Sequence, residues 1–176
     1  GIVAKIVAVN PSSNPLRELP PDISIDFTAL VPFQLYELLQ SDQAFRLNSI
    51  KNILVGGAPL NEETQKAFSS FTCQLYATYG MTETVSHVAL QRVNGHFASK
   101  YFSVLPGIKI QADDRGCLVI DAPYLQEKVI TNDIVEIKDT QHFRWVGRSD
   151  NIINTGGRKI VPEKIEGEIR SLFDDL

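Results

Sequence analysis

The sequence predicts an α/β protein: a parallel-sheet α/β subdomain, then a small antiparallel β-barrel subdomain, then the start of a C-terminal α+β domain. Up to about Gly95, short apolar runs alternate with patterns of helical spacing, as in strands joined by crossover helices. Beyond that point, short strand patterns follow one another without a helix, which is typical of antiparallel hairpins. A helical pattern returns after Pro162. We therefore divide the chain into three parts, residues 1–99, 100–147 and 148–176.

The first part should contain four strands and two helices. A proline-rich loop at 11–21 follows the first, buried strand. Pro32 suits the first turn of a helix, and Leu35, Leu38 and Leu39 recur at helical spacing. Asn61 can cap the second helix, which turns Ala67 and Phe68 inward. The four strands are predicted at 2–9, 26–31, 53–55 and 73–78.

The second part should be built from hairpins. Asp113-Asp114-Arg115-Gly116 is a turn signal flanked by strand patterns at 108–111 and 117–120. Further short strands are predicted at 129–131, 134–137 and 143–146. In the third part, a strand at 152–154 and a turn at 155–157 precede the final helix, whose apolar face carries Ile165, Ile169, Leu172 and Phe173.

Composition excludes some classes of function. The chain has 176 residues, is 43% hydrophobic and carries a net charge of −4, so it can form a core but has no basic surplus for nucleic acid. It contains no apolar run long enough to span a membrane. Cys73 and Cys117 are far apart and lack metal-ligand spacing, as expected for reduced thiols in the cytoplasm. Composition does not fix the oligomeric state.

The stretch from Gln74 to Thr84 is the strongest candidate for a site. It is predicted as a strand that breaks at Gly80 into a polar turn, and loops at strand ends in open α/β sheets bind ligands. Tyr79 could stack on a nucleobase, Thr82 could donate to a phosphate oxygen, and Glu83 is a suitable ligand for Mg²⁺. The residues alone are equally compatible with an ordinary polar turn.

Three ordered stretches add a resemblance to a known family. They are Tyr79-Gly-Met-Thr-Glu-Thr, Thr131-Asn-Asp, and the run from Gly147-Arg-Ser-Asp to Gly-Gly-Arg-Lys-Ile-Val-Pro-Glu-Lys-Ile-Glu. Together they resemble the adenylate-forming superfamily of acyl-CoA synthetases, peptide-synthetase adenylation domains and luciferases. The continuation Val-Ser-His-Val-Ala-Leu and the stretch Leu105-Pro-Gly-Ile-Lys-Ile are most similar to o-succinylbenzoate–CoA ligases of menaquinone biosynthesis.

The resemblance implies a ligase that joins a small-molecule carboxylate to coenzyme A through an acyl-adenylate made from ATP. It places Tyr79 with the backbone of Gly56-Gly57-Ala58-Pro59 around adenine, and Thr82 at the α-phosphate beside Gly80 and Met81. Glu83 would hold Mg²⁺, and Asp133 and Arg148 would reach the ribose.

The resemblance also implies roles outside the nucleotide site. Asp150 corresponds to the hinge about which the C-terminal domain rotates, and Gly156 and Gly157 would lie along the pantetheine arm of coenzyme A. Phe33, Ser86 and His87 would line the acyl pocket. The alternatives stay open: Asp133 as a turn residue, Arg148 as a surface ion-pair partner, and Phe33 as a core residue.

The sequence also departs from the family pattern. No glycine-rich phosphate loop ending in lysine is found, and the resemblance places that loop before Gly1 and the catalytic lysine after Leu176. Asn132 stands where glycine is common. We therefore expect a piece of a larger enzyme that is inactive alone. The alternatives are another aryl- or acyl-CoA ligase of the superfamily, a non-catalytic nucleotide-binding module, or a scaffold with only ancestral likeness.

Overall fold

The computed structural model describes residues 4–58, 60 and 62–173, which fall into two compact units. The first comprises the described residues up to Thr78 together with Arg92–Ala98, and the second comprises Tyr79–Gln91 with the residues from Ser99 onward. Each unit has its own apolar core. In the described part of the chain, no helix is long and apolar enough to cross a membrane. The predicted domain boundaries stay predictions.

The first unit contains a parallel sheet with helical crossovers, as the alternating pattern predicts. Its strands pair in the order β1-β2-β3, with Ile25 opposite Ile50 and Ile53 opposite Leu75. The last two residues of β3, Tyr79 and Gly80, belong to the second unit. The elements are β1 (Ile25–Leu30), α1 (Pro32–Gln40), β2 (Ile50–Val55), α2 (Glu62–Ala67) and β3 (Gln74–Gly80).

Helix α1 begins where the sequence predicts. Pro32 occupies its first turn, where the missing N–H costs no hydrogen bond, and the Val31 backbone N–H donates to Gln34 Oε1 at 3.1 Å. Leu35 and Leu38 are fully buried in the core of the first unit. The predicted cap of the second helix, Asn61, lies outside the described residues.

The predicted first strand is wrong for the residues that the structure describes. Residues 4–10 form no strand, and Ile6 is 87% exposed. An apolar run becomes a buried strand only where another strand or a helix lies beside it, and none of the described strands pairs with this segment. The apolar composition alone therefore predicted the wrong state.

A buried arginine holds the proline-rich loop in place. The side chain of Arg46 donates to the carbonyl oxygens of Leu16, Leu19 and Pro20, and the residue is 6% exposed. Prolines lack a backbone N–H, so this side chain supplies hydrogen bonds that the loop backbone cannot make.

The second unit is an open antiparallel sheet. Its strands follow the order β4-β5-β9-β8-β7-β6, with β6 at an edge, so the predicted barrel does not close. The two strand patterns at 129–131 and 134–137 form one continuous strand, because Asn132 and Asp133 continue the extended backbone rather than turn it. The strands are β4 (His87–Arg92), whose last residue belongs to the first unit, β5 (Phe102–Val104), β6 (Lys109–Ala112), β7 (Cys117–Asp121), β8 (Val129–Asp139) and β9 (His142–Arg148).

A small hairpin and a helix follow β9 in the same unit. Strands β10 (Ile153–Thr155) and β11 (Arg158–Ile160) pair around Gly156 and Gly157, which have φ of 53° and 78°. Positive φ at both central residues is what a type I′ hairpin turn requires. Helix α3 (Pro162–Phe173) begins at Pro162, as the sequence predicts.

Candidate functional site

Polar side chains of the second unit converge on the carboxylate of Asp133. The Tyr79 hydroxyl donates to Asp133 Oδ2 at 2.6 Å, and Trp145 Nε1 donates to Oδ1 at 3.2 Å. Arg148 Nη1 lies 3.6 Å from Oδ1, and the Asp133 N–H donates to Thr131 Oγ1. Asp133 is only 7% exposed, so these partners compensate the desolvation of its charge.

Strand register explains why these residues meet. Asp133 of β8 lies directly opposite Arg148 of β9, so their side chains share a face of the sheet. Trp145 lies three residues earlier and would face the other way in a regular strand. The register shifts between Ile134 and Val135, so that Trp145 pairs with Val135. This bulge brings Trp145 to the face that carries Asp133.

The ring of Tyr79 is fixed by aromatic packing. It meets Phe143 edge-on at 5.1 Å and Phe102 at 5.8 Å between ring centroids, while Phe102 and Phe143 stack on each other at 5.5 Å. Burial, together with the hydrogen bond to Asp133, raises the pKa of Tyr79 well above its ordinary value. The phenol therefore stays protonated and acts as a donor to the carboxylate.

A second set of polar contacts extends from Arg148 to the turn after β9. Arg148 Nη2 donates to Asp150 Oδ2 at 2.7 Å, and Asn132 Nδ2 donates to the same oxygen at 3.3 Å. The hydrogen bond from Arg148 lowers the pKa of Asp150, and this bond followed by the charge of Asp133 raises the pKa of Arg148. The predicted ribose and hinge residues thus lie in one connected group.

The polar turn after β3 is a single 3-10 turn, Thr82–Thr84, as the break at Gly80 predicts. Thr84 is fully buried, and its Oγ1 accepts from the Met81 N–H at 3.0 Å and lies 2.8 Å from the Ser86 carbonyl. Thr82 and Glu83 are exposed, so the turn presents one hydroxyl and one carboxylate to solvent.

Two backbone features shape this turn. A Cβ atom on Gly80 would lie 2.5 Å from His87 Cα and 2.7 Å from the Ser86 carbonyl oxygen, so only glycine fits there. Val85 has φ of 65°, a conformation that a β-branched residue rarely adopts, and its side chain is 79% exposed. Ser86 Oγ and His87 Nδ1 lie 3.3 Å apart beyond it.

The remaining predicted residues have separate locations. Gly56, Gly57 and Ala58 follow β2 in the first unit, where Gly57 has φ of 92° and Gly56 packs against Thr78. Pro59 lies outside the described residues. Phe33 is 61% exposed on α1, so it is not a core residue of the described structure. Gly156 and Gly157 form the exposed hairpin turn already described.

Several residues around the site were not predicted from the sequence. The indole of Trp145 donates to Asp133, and the rings of Phe102 and Phe143 pack against Tyr79. The carboxylate of Glu163 in α3 accepts a hydrogen bond from Asn151 and lies beside Gly147. A Cβ on Gly147 would lie 2.6 Å from Glu163 Oε2. Alternation within 131–135, where Thr131, Asp133 and Val135 are all buried, was the available signal that Asp133 faces inward.

A family model matches most of the chain. Residues 4–120 match the model of the AMP-binding enzyme family. The chain belongs to this family. The 2-succinylbenzoate–CoA ligase of Lactococcus lactis subsp. lactis is 30% identical across 90% of the chain, and that of Escherichia coli is 28% identical across 78%. The chain spans 38% and 33% of the lengths of these curated relatives.

Solved structures have the same fold. An acyl-CoA synthetase (AMP-forming)/AMP-acid ligase II-like protein from Dyadobacter fermentans is 42% identical with a TM-score of 0.76, over 95% of this chain and 48% of that one. Wild-type E. coli MenE with a bound analogue of OSB-AMS is 25% identical with a TM-score of 0.63, over 80% of this chain and 34% of that one. Membership of the AMP-binding enzyme family is consistent with both the sequence motifs and the fold.

Proposed function

We propose that this chain carries the ribose-binding and phosphate-facing residues of an AMP-forming acid–CoA ligase whose carboxylate substrate is o-succinylbenzoate. The observation that carries the proposal is the convergence of Tyr79, Trp145 and Arg148 on the buried carboxylate of Asp133. Membership of the AMP-binding family and the likeness to 2-succinylbenzoate–CoA ligases support it.

Asp133 retains the capacity to bind a ribose. Each of its oxygens accepts one hydrogen bond within the protein, from Tyr79 or from Trp145. A carboxylate has about four lone-pair positions, so one position on each oxygen remains for a ribose hydroxyl. The guanidinium of Arg148 lies 3.6 Å from Oδ1, so it adds hydrogen-bond donors beside the same ribose position.

The 3-10 turn supplies groups for the phosphate end of the nucleotide. Thr82 can donate its hydroxyl to the α-phosphate, and Glu83 provides one exposed carboxylate. No cluster of three or more metal-ligating side chains exists within the described ranges, but Mg²⁺ at nucleotide sites is usually held by one or two carboxylates plus phosphate and water. Glu83 therefore fits this metal, which would offset negative charge on the phosphate when bound.

The reaction has two displacements at which these residues would act. A carboxylate oxygen of the substrate attacks the α-phosphorus of ATP, and pyrophosphate leaves. The thiolate of coenzyme A then attacks the acyl carbonyl, and AMP leaves with the electron pair of the broken bond. Asp133 and Arg148 hold the ribose in both steps, which keeps the α-phosphate aligned for attack.

The experiment is a calorimetric titration of the chain with AMP. We expect the wild-type chain to bind AMP and Asp133→Asn to bind it at least about tenfold more weakly, since a charged hydrogen-bond acceptor is lost. Circular dichroism and thermal unfolding of the variant report whether it is folded. Equal AMP affinity of the folded variant and the wild type would refute the ribose role of Asp133.

The substrate requires a separate measurement. We expect o-succinylbenzoate to tighten the binding of AMP, because o-succinylbenzoate and AMP would occupy adjoining parts of one site. Benzoate at the same concentration should not tighten it. If benzoate has the same effect, or neither compound has any, the assignment of o-succinylbenzoate fails while the AMP result still stands.

A further inference from the structure

The amide of Asn132 connects two charged groups that lie on different elements of the second unit. Its Oδ1 accepts from Arg115 Nη1 at 3.1 Å, and its Nδ2 donates to Asp150 Oδ2 at 3.3 Å. Arg115 lies in the turn between β6 and β7, and Asp150 lies in the 3-10 turn after β9. Asparagine is suited to this link because one end of its amide accepts and the other donates.

Arg115 is itself held in a single orientation. Its Nε donates to Asp113 Oδ2 at 2.9 Å, and its Nη2 donates to the Thr131 carbonyl at 3.0 Å. The remaining nitrogen, Nη1, then points at Asn132. Because a guanidinium can only donate, it must meet the oxygen of the amide, and this orients the Asn132 nitrogen toward Asp150.

Asp150 depends on such an anchor. Its side chain is 52% exposed and that of Arg148 is 47% exposed, and an ion pair between exposed side chains gains little because both must lose rotamer freedom. The second hydrogen bond, from Asn132 of β8, holds the side chain of Asp150 beside that strand. Arg148, bonded to Asp150, then stays beside Asp133.

We propose that Asn132 is a positioning residue: with its oxygen fixed by Arg115, it holds Asp150 so that the Arg148 guanidinium stays beside Asp133 and ready for the nucleotide. The nucleotide ligand rests on the proposed function, whereas the relay from Arg115 through Asn132 to Asp150 rests on the geometry alone. Asn132 thereby contributes to affinity without contact with the ligand.

The test compares Asn132→Ala with Asn10→Ala. Asn10 is an exposed asparagine of the first unit whose amide nitrogen also donates to a carboxylate, that of Glu18, at 3.1 Å. Both variants lose a side-chain amide that donates to a carboxylate, and Asn132→Ala loses in addition the acceptor for Arg115. AMP affinity is measured by calorimetry, and the titration of Asp150 is followed through its carboxyl carbon by NMR.

We expect Asn132→Ala to weaken AMP binding about three- to tenfold, the equivalent of one hydrogen bond, and to raise the pKa of Asp150 toward its ordinary value. Asn10→Ala should change neither. Asn132→Asp keeps the acceptor for Arg115 but replaces the donor, so it should raise the pKa of Asp150 further.

Equal AMP affinities of Asn132→Ala and Asn10→Ala would overturn the proposal. If the wild-type chain binds no AMP, the proposed function fails in this chain. The titration of Asp150 then tests by itself whether Asn132 links Arg115 to Asp150. A raised pKa in Asn132→Ala then supports the relay, and an unchanged pKa refutes it.

Discussion

The cluster around Asp133 and the turn after β3 lie in the same unit but are built in opposite ways. In the cluster, the polar atoms of Tyr79, Asp133 and Trp145 satisfy one another, and the carboxylate is buried. In the turn, Thr84 alone among Thr82–Ser86 is buried, and Thr82 and Glu83 face solvent.

This difference separates the residues that hold the structure from those left available for a ligand. Cluster residues should contribute to stability and to binding together, because their bonds exist before the nucleotide arrives. Exposed turn residues should contribute to binding alone, whereas the shape of the turn depends on Gly80 and Thr84. The following variants test that separation.

Asp133→Ala should cause the largest loss of stability. It leaves the Tyr79 hydroxyl and the Trp145 N–H without their acceptor in a partly buried place, which costs about 3 kcal/mol in total. Urea denaturation measures this change. Asp121→Ala is the control: the Asp121 side chain is 46% exposed and forms a 3.7 Å ion pair with Lys128, so its loss should cost much less. Similar losses in both variants would contradict the prediction.

Gly80→Ala should come next, at about 2–3 kcal/mol, because the added methyl group overlaps backbone atoms of Ser86 and His87 rather than a mobile side chain. Gly167→Ala is the matched control: beyond its chain neighbours and the adjacent backbone of α3, no atom of the described residues lies within 4 Å of its Cβ position, so alanine should stabilise by about 0.5–1 kcal/mol. Thermal unfolding compares the two. A neutral Gly80→Ala would mean that the turn can shift freely.

Tyr79→Phe should cost about 2 kcal/mol, since the aromatic packing remains and only the hydrogen bond to the charged acceptor is lost. Tyr36→Phe, at a half-exposed ring, provides the control. Denaturation at neutral pH measures both. A loss no greater than that of the control would show that the Asp133 carboxylate does not need this donor.

The same pair predicts a pH effect. The pKa of Tyr79 is raised in the folded state by burial and then by Asp133, so the folded protein keeps this proton above about pH 10, where an unfolded tyrosine loses it. The stabilisation is complete below that pH and is lost as the pH rises. The wild type should therefore lose stability above pH 10 more steeply than Tyr79→Phe does.

How much the sequence could predict differs between the two regions. The turn was predicted from local signals, because Gly80 and the polar residues after it are neighbours in the chain. The cluster depends on long-range pairing: Asp133 meets Tyr79 across 54 positions, and Trp145 reaches it only through a bulge in β9. Motif resemblance identified Asp133 and Arg148, but nothing local distinguishes Trp145 from a core residue.

The same reasoning applies to the fold. The parallel strands of the first unit follow from apolar runs between helical patterns. Strands β4 and β5 were missed, because His87–Arg92 mixes polar and apolar residues and Phe102–Val104 is only three residues long. Barrel closure depends on which edge strands pair, which no local pattern encodes.

Val85→Gly should raise stability by about 1 kcal/mol, because glycine relieves the positive φ while losing some chain entropy. Val7→Gly, at a half-exposed valine outside helices and strands, should bring no gain. Thermal unfolding measures both changes. A loss of stability in Val85→Gly would show that the valine side chain makes a compensating contact.

Glu83→Gln should have the smallest effect on stability, less than about 0.5 kcal/mol, because the side chain is exposed. It should nevertheless reduce the gain in ATP affinity that Mg²⁺ produces, since the amide is a weaker ligand than the carboxylate. Calorimetric titration with ATP, with and without Mg²⁺, measures that gain, and Glu127→Gln, at another exposed glutamate, should leave it unchanged.

If Glu83→Gln keeps the full Mg²⁺ effect, Glu83 is not a ligand of the metal. A variant that loses as much stability as Asp133→Ala would place Glu83 among the residues that hold the structure.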